Sequence, residues 1–401
     1  NMNQVHIIEA IRTPRGKAKQ SGGLSDLNPH QLLSVLYDDL VDKEILELDQ
    51  LDEVILGCVT QQGEQAGNIA KSSSLYAGHP DSVSGLTINR FCSSSLDALN
   101  IGYLKIASGQ HSFVIAGGIE MMSRVPMLSD NAAIWTDPKT ALDARIFMMG
   151  SGADLIASLN KISREEADLL ALSSQQKALK AQESDLFKSI VPVFNKSKKL
   201  TCSKDECIRP KTTMDSLSRL KPSFENLGSQ GVDALQLKYF PELKEIKHIH
   251  TPGNSPAMAD AASITLLSEY KHSTNTQYKS RATVKGAAVV NDDPRLVLSG
   301  CKLATSKLLK ECNLSVKDID LFEIHEAFAA TIINVQRELE IPEDKLNVNG
   351  GVIALGHPMG ATGTIMLSSL IDEMERIDVS NGIVATSGAA GAGTAILIER
   401  E

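Results

Sequence analysis

The sequence predicts an α/β fold that contains one structural unit twice, with a separate segment inserted between the copies. Short apolar runs alternate with helical patterns over the first 120 residues. The same alternation returns from residue 275 onward, whereas it is lost between about 120 and 250. Strands that alternate with helices indicate parallel pairing in a sheet that is covered on both faces.

The first unit begins with a strand at Val5–Ile8. Its next predicted elements are a helix at His30–Val41, strands at Val54–Leu56 and Leu86–Ile88, a small-residue helix from Ser93 to about Ala107, and a strand at Phe113–Ala116. The helix has apolar residues at helical spacing, and the strands are short apolar runs followed by glycine or polar residues.

The inserted segment, residues 120–250, has a different composition. It contains methionine pairs, a helix with charged faces over 163–183 and a polar stretch near 195–225. Because the strand–helix alternation is absent here, we interpret this segment as an insertion placed on the first unit.

The second unit repeats the order of the first. Its predicted elements are strands at Ala282–Val290, Asp320–Glu323, Gly382–Ala385 and Thr394–Ile398, a helix at Lys302–Glu311, and a strand that leads into Asn349. The offset from the first unit is roughly 260–270 residues throughout, which indicates an internal duplication. We therefore predict an N-terminal half at 1–119 and 251–274, an inserted domain at 120–250, and a C-terminal half at 275–401.

Composition excludes several classes of protein. The 401 residues are 42% hydrophobic and 22% charged, as in a globular protein with a large core. A net charge of −9 and 4% aromatic residues argue against a nucleic-acid-binding face. No run of 18 apolar residues occurs, so no transmembrane helix is predicted. Six scattered cysteines form neither a disulfide framework nor a zinc-ligand pattern, which favours a reducing compartment, by default the cytoplasm.

Cys92 is the candidate nucleophile. It lies in the segment NRFCSSSLDAL, where a predicted strand turns into a helix. A helix N-terminus favours the thiolate and lowers a thiol pKa. The alternative is a buried, inert cysteine, the usual state of a free cysteine. Cys58, which follows Gly57 at another strand end, is the nearest rival.

Two histidines are candidate partners of the thiol. His357 lies in NGGVIALGHPMGATG, and an imidazole is a suitable base for a cysteine at neutral pH. His325 lies in EIHEAFAA, where it could donate to a developing oxyanion. The alternatives are a structural histidine in a tight turn and a hydrogen-bonding pair of His325 with Glu326. Residue 329 is alanine, so the segment is not an HExxH zinc motif.

The glycine-rich segment ATSGAAGAG at 385–393 is a weak candidate for phosphate binding. No Gly-Lys-Ser/Thr follows it, and it leads into a strand rather than a helix. Backbone N–H groups that face an oxyanion are the better interpretation.

These four segments, in their order along the chain, resemble those of the thiolase family. The resemblance covers the chain from Val5–Ile8 and Arg12–Pro14 to Ile398–Arg400. It implies thiolase-like duplicated βαβαβαββ halves that form a five-layered α-β-α-β-α core, with an inserted loop domain that binds coenzyme A.

The resemblance also implies catalytic roles. Cys92 matches the acylated nucleophile and His357 the histidine that activates it. His325 matches a position that is asparagine in many members and histidine in others, where it supports the first oxyanion hole. The backbone N–H groups of Cys92 and Ala389 match the second oxyanion hole. Ser387 stands where the family has its second catalytic cysteine, the acid/base at the substrate α-carbon.

Coenzyme A is implied as a substrate, with no tightly bound cofactor and no metal. The implied contact residues are Arg209 and Ser216 in the inserted domain, Met149 in the pantetheine-pocket segment, and Phe328. An arginine suits the phosphates of such a ligand.

Three positions depart from the family pattern. Ser387 replaces a cysteine, and a hydroxyl is a poor proton acceptor unless it is strongly activated. Ala389 replaces a glycine, and Pro256 stands where many members have a serine that contacts coenzyme A.

The leading hypothesis is a thiolase-type acyl-CoA acyltransferase that performs 3-ketoacyl-CoA thiolysis or acetyl-CoA condensation in fatty-acid and lipid metabolism. The first alternative is a decarboxylating condensing enzyme with a Cys-His-His set, and the second is a non-catalytic acyl-CoA-binding relative. The resemblance implies a homodimer or homotetramer, and it allows a hydratase/dehydrogenase subunit as a further partner.

Overall fold

The computed structural model describes residues 2–195, 197–273 and 277–401. The strands are β1 His6–Arg12, β2 Gly16–Lys17, β3 Glu53–Gly57, β4 Ser84–Ile88, β5 Phe113–Met121, β6 Val193–Phe194, β7 Leu200–Cys202, β8 Ala259–Ser268, β9 Ala282–Asn291, β10 Leu321–Ile324, β11 Asn381–Ser387 and β12 Ala392–Glu399.

The α-helices are α1 Pro29–Asp42, α2 Ile69–Tyr76, α3 Ser94–Ala107, α4 Ala133–Thr136, α5 Pro138–Ala144, α6 Met149–Leu159, α7 Arg164–Glu183, α8 Met214–Ser218, α9 Glu225–Leu227, α10 Asp233–Tyr239, α11 Gly300–Glu311, α12 Ala329–Leu339, α13 Val352–Leu355 and α14 Thr362–Ile377. No helix in the described part of the chain is both long enough and apolar enough to cross a bilayer.

The large strands form one hydrogen-bonded path in the order β10-β11-β12-β9-β1-β8-β5-β3-β4. Strand β1 joins the two halves of this path. It pairs with β8 from His6 to Arg12 but with β9 only at His6 and Ile7. The short β1–β9 contact therefore separates two sheets, one for each half of the chain.

Three apolar clusters define the layers around these sheets. Helices α1 and α2 pack against β3, β5 and β8 on one outer face. Helices α11 and α12 pack against β9 to β12 on the other outer face. Helices α3 and α14 lie between the sheets, in a cluster with residues from both halves. This is the five-layered α-β-α-β-α arrangement that the sequence resemblance implies.

The duplication is visible in the hydrogen bonds of two aspartates. Asp52 accepts from the backbone N–H groups of Ser112 and Phe113, at the start of β5. Asp320 accepts in the same way from Ser380 and Asn381, at the start of β11. The same carboxylate thus links neighbouring parallel strands in each half.

The strand predicted to lead into Asn349 is not formed. Only a single bridge between Phe322 and Leu346 remains at this place. The side chain of Asn347 takes over the pairing, because it accepts from the Ile324 N–H at 2.8 Å and donates to the Ile324 carbonyl at 2.9 Å. The Asn347 side chain therefore makes the hydrogen bonds to β10 that the sequence pattern had assigned to the backbone of a neighbouring strand.

Strand β8 was not found from the sequence. Its ten residues are all buried, so it shows no polar alternation that would mark one solvent face. It pairs with β1 and β5 and so adds the chain after the insertion to the first sheet. The predicted boundary between 274 and 275 falls outside the described residues, and the division into domains stays a prediction.

A buried ion cluster organises the segment between β5 and β8. Asp154 contacts His248 and His250 with its two carboxylate oxygens, each at 2.7 Å. The other ring nitrogen of His248 lies 2.9 Å from Asp233. Both nitrogens of His248 therefore face carboxylates, which favours the imidazolium. The hydrogen bond to Asp154, assisted by Asp233, raises the pKa of His248 to about 9 against the opposite effect of burial.

We predict that this cluster makes stability depend on pH. The folded pKa of His248 lies above the unfolded value of about 6.5, so its stabilisation is fully present below that pH and is lost as pH rises through 9. The loss should approach about 3 kcal/mol in the free energy of unfolding. Urea denaturation at pH 6.5, 8 and 9.5 measures it, with His248→Gln as the matched control. Equal pH slopes in the two proteins would contradict the assignment.

Candidate active site

Cys92 lies at a sharp turn between β4 and α3, two residues before the helix begins. The preceding residue, Phe91, has a φ of 51°, a left-handed conformation that is costly for a bulky side chain. Gly57 at the end of β3 permits the turn, because a Cβ there would lie 2.4 Å from the carbonyl carbon of Ser94. The local sequence thus fixes the thiol at the end of the first sheet.

The serines after Cys92 tie this turn to the second half of the chain. Thr386 donates to the Ser93 hydroxyl at 2.9 Å, and Ser93 donates to the Thr386 carbonyl at 3.2 Å. The Thr364 N–H donates to the Ser95 hydroxyl at 3.0 Å. Their hydroxyls therefore hold the two halves of the chain together.

The structure brings His357 to Cys92, the candidate nucleophile. Its Nε2 lies 3.1 Å from the Cys92 Sγ, and its Nδ1 lies 2.7 Å from the Thr362 hydroxyl. The His357 N–H donates to the Ala257 carbonyl at 2.7 Å, which fixes the backbone of the Gly-His-Pro segment. Thr362 was not singled out from the sequence, although its hydroxyl orients the ring.

Burial keeps the Cys92–His357 pair uncharged. It raises the pKa of the Cys92 thiol to about 12, with the Glu120 carboxylate as a second cause. It also lowers the pKa of His357 well below its ordinary value, with His325 and Arg15 as further causes. The sequence had suggested a thiolate stabilised by the helix, but a helix dipole contributes only ~0.3–1 kcal/mol at a surface site. Desolvation therefore outweighs the dipole.

His325 lies directly beside His357, with the ring centroids 4.6 Å apart. Its Nδ1 is 3.1 Å from the Ser387 carbonyl, and its backbone N–H donates to the Ala385 carbonyl. Burial lowers the pKa of His325 to about 4. Its Nε2 is buried and has no hydrogen-bond partner among the residues that the structure describes.

The Ser387 side chain points toward α11. Its hydroxyl accepts from the Cys301 N–H at 2.9 Å. The chain then turns at Ala389–Gly391, where Ala390 has a left-handed φ of 57°. Gly388 lies against the nucleophile turn, because a Cβ there would be 3.0 Å from the Cβ of Phe91. The glycine-rich segment thus packs beside Cys92.

An apolar cavity of about 210 Å³ opens in front of the thiol. Its chemically reactive lining consists of Cys92, His325 and His357. The remaining lining residues are Met122, Met127, Met149, Phe224, Ser255, Pro256, Ala257, Met258, Leu298, Ala327, Phe328 and Met359. Ser387 and Ala389 are buried and lie outside this lining. The five methionines were not predicted as a group, since they are scattered along the sequence.

The other predicted site residues occupy different places. Met149 and Phe328 line the cavity. Arg209 is exposed and donates to the Pro252 carbonyl at 3.0 Å, close in sequence to the cavity-lining residues at 255–258. Ser216 is exposed and caps α8 together with Thr213. The rival thiol, Cys58, is fully buried beside Glu120 and does not line the cavity.

Glu326, the neighbour of His325, has a structural position. It accepts from the Ser174 hydroxyl at 2.8 Å and from the Ile353 N–H at 3.2 Å, so it ties the chain after His325 to α7 and α13. Within residues 2–195, 197–273 and 277–401, no group of three or more His, Cys, Asp or Glu side chains is arranged to hold a metal ion.

Comparison with known proteins assigns the family. Residues 5–234 match the family described as "Thiolase, N-terminal domain", and residues 278–400 match "Thiolase, C-terminal domain". The chain belongs to the thiolase family. It is therefore an acyltransferase of thiolase type that acts on acyl-CoA substrates.

Individual relatives extend over the full chain. A β-ketoadipyl-CoA thiolase of Pseudomonas knackmussii is 36% identical, with 99% of both chains covered. A 3-ketoacyl-CoA thiolase of Colwellia psychrerythraea is 35% identical over 100% of both. The crystal structure of the Bacillus anthracis acetyl-CoA acetyltransferase matches with a TM-score of 0.84 at 33% identity, over 99% of both chains.

We predict that Cys92 of this thiolase reacts slowly with iodoacetamide at neutral pH. Only the thiolate is alkylated, and a pKa of about 12 leaves a small thiolate fraction that rises about tenfold per pH unit. Alkylation rates between pH 7 and 10 test this, with Cys92→Ser giving the background from the other thiols. A rate that levels off below pH 8 would show a stabilised thiolate and contradict the prediction.

Proposed function

We propose that the enzyme catalyses thiolysis of 3-ketoacyl-CoAs with apolar acyl chains, through an acyl group carried on Cys92. The supporting observation is the uncharged Cys92–His357 pair, 3.1 Å apart, at an almost wholly apolar cavity. The chemistry is reversible, so the same groups also serve acetyl-CoA condensation.

In the first half-reaction, the Cys92 thiol gives its proton to Nε2 of His357 as Sγ attacks the keto carbon. Nδ1–H of His357 keeps its hydrogen bond to Thr362, which stabilises the imidazolium formed. We assign the oxyanion to the backbone N–H groups of Cys92 and Ala389, as the family resemblance implies. Gly388, the residue before Ala389, packs against the turn that carries Cys92. The bond between the keto carbon and the α-carbon breaks, the α-carbon takes up the proton that the thiol released, and acetyl-CoA leaves with His357 neutral again.

In the second half-reaction, coenzyme A takes the acyl group. Its thiol gives a proton to His357 and attacks the acyl-Cys92 carbonyl. The Cys92 thiolate that leaves recovers the proton from His357, which restores the uncharged pair. We propose that Arg209, Ser216 and Met149 contact coenzyme A, as the family resemblance implies.

The lining of the cavity points to an apolar acyl chain. The cavity of about 210 Å³ is lined almost wholly by apolar side chains. Methionine side chains are flexible and adapt to irregular apolar shapes. No lysine or arginine lies among the described residues that line the cavity, so a terminal carboxylate would be buried without a partner.

Two substrates with six-carbon acyl chains, one apolar at its end and one ending in a carboxylate, test the proposal. We predict that 3-oxohexanoyl-CoA is cleaved with a kcat/KM about a hundredfold or more above that of 3-oxoadipyl-CoA, because an unpaired buried carboxylate costs several kcal/mol. Met127→Lys, which places an ammonium in the lining, should narrow this ratio, whereas Met127→Leu should preserve it. Equal rates would refute the apolar-chain assignment, and the absence of any turnover would refute thiolysis.

A decarboxylating condensing enzyme is the second candidate. The observation that favours it is the pair of adjacent histidines, His325 and His357, that both line the cavity with Cys92. Release of carbon dioxide from malonyl-CoA, measured beside the thiolysis assay, distinguishes the two activities. A non-catalytic acyl-CoA-binding protein would show neither activity.

We also propose a homodimer that forms through β4. This strand ends the sheet path, and β3 is its only partner among the described strands, so one of its edges is open to another strand. The adjacent helix α2 exposes Leu75 by 47% and Tyr76 by 55% beside this edge. A homotetramer would require a further contact surface.

Light scattering tests the dimer. We predict a dimeric mass at micromolar concentration, which Tyr76→Glu should shift toward the monomer because it places a charge beside the open edge. Ile377→Glu, an exposed residue at the end of α14, is the matched control and should remain dimeric. A monomeric wild-type protein would contradict the prediction.

A cytoplasmic location and a hydratase/dehydrogenase partner stay predictions from the sequence.

A further inference from the structure

Carbon–carbon cleavage needs a proton at the α-carbon of the departing acetyl-CoA. Ser387 occupies the sequence position of the acid/base cysteine, but its hydroxyl accepts from the Cys301 N–H and lies outside the cavity lining. The nearby Cys301 thiol is only 1% exposed and packs in the apolar cluster of the second half. Neither side chain lines the cavity.

The titratable side chains that line the cavity are Cys92, His357 and His325. Cys92 carries the acyl group during this step, and His357 is hydrogen-bonded to its sulfur. Among the described residues, His325 is the remaining titratable group that lines the cavity.

The hydrogen bond of His325 fixes which nitrogen carries its proton. Nδ1 lies 3.1 Å from the Ser387 carbonyl, and a carbonyl oxygen can only accept, so the proton is on Nδ1. Nε2 of the neutral ring therefore holds a lone pair. That nitrogen is buried without a partner in the described part of the chain, and His325 lines the cavity. A lone pair accepts a proton and cannot donate to an oxyanion, which departs from the role that the resemblance implies.

We propose that His325 is the catalytic residue that moves the α-carbon proton, with the Ser387 backbone carbonyl as its positioning group. The proposal rests on thiolysis through acyl-Cys92. As the S–C bond forms and the C–C bond breaks, the thiol proton passes from His357 Nε2 to the neighbouring His325 Nε2. His325 then delivers it to the α-carbon, so both rings end neutral. Condensation reverses these steps.

The variant His325→Asn separates this role from oxyanion binding. Asparagine offers an amide N–H donor but has no imidazole that could accept a proton and deliver it. Two readouts are measured on each protein, namely acylation of Cys92 by hexanoyl-CoA and exchange of acetyl-CoA methyl hydrogens with D₂O. We expect acylation to stay within about tenfold of wild type, while the exchange rate falls by ~10²–10⁴, the usual contribution of acid–base catalysis.

The possible outcomes distinguish failure of the role proposed for His325 from failure of thiolysis through acyl-Cys92. Exchange that persists in His325→Asn, with Cys92 still acylated, overturns the role of His325 and leaves thiolysis intact. Loss of exchange in Ser387→Ala together with its retention in His325→Asn would overturn it in favour of the hydroxyl. A wild-type protein that neither acylates Cys92 nor exchanges refutes thiolysis and this inference together. If His325→Asn does not fold, as judged by circular dichroism, His325→Gln takes its place in both assays.

Discussion

The close approach of the two halves behind Cys92 is the constraint on which the site depends. The thiol comes from the first half, whereas His325 and His357 come from the second, so the chemistry requires contact between the halves at atomic distance. Gly118 in β5 permits this approach, because a Cβ there would lie 2.5 Å from the Gly360 carbonyl oxygen and 2.8 Å from the Cβ of Ser95. A larger side chain at this crossing would push the His357 segment away from the nucleophile turn.

The same approach determines the electrostatics of the site. Helices α3 and α14 fill the space between the sheets, His325 is buried, and Cys92 and His357 are partly buried. Burial disfavours every charged form, so the resting site contains a thiol and two neutral imidazoles. In the proposed mechanism, proton transfers accompany bond formation. The hydrogen bonds to Thr362 and to the Ser387 carbonyl indicate which nitrogen of each ring is available for them.

Much of the fold followed from local patterns. The duplicated order of strands and helices was visible because short apolar runs alternate with helical patterns in both halves. In the structure, Asp52 and Asp320 make the same hydrogen bonds at equivalent places. The sequence patterns did not predict the structure correctly at two places, one where a strand is buried on both faces and one where a side chain replaces the backbone pairing of a strand. Strand β8 is buried along its whole length, and Asn347 performs the pairing expected of a strand.

The sequence by itself determined the family and the duplicated α/β architecture and indicated the candidate reactive side chains, because these are encoded in motifs of adjacent residues. Only the tertiary structure decided how those side chains act. The distance between Cys92 and His357, the orientation of the Ser387 hydroxyl and the free Nε2 of His325 all depend on contacts between segments far apart in the chain. The methionine lining likewise joins residues from 122 to 359, and desolvation of the thiol is a property of the packed halves together.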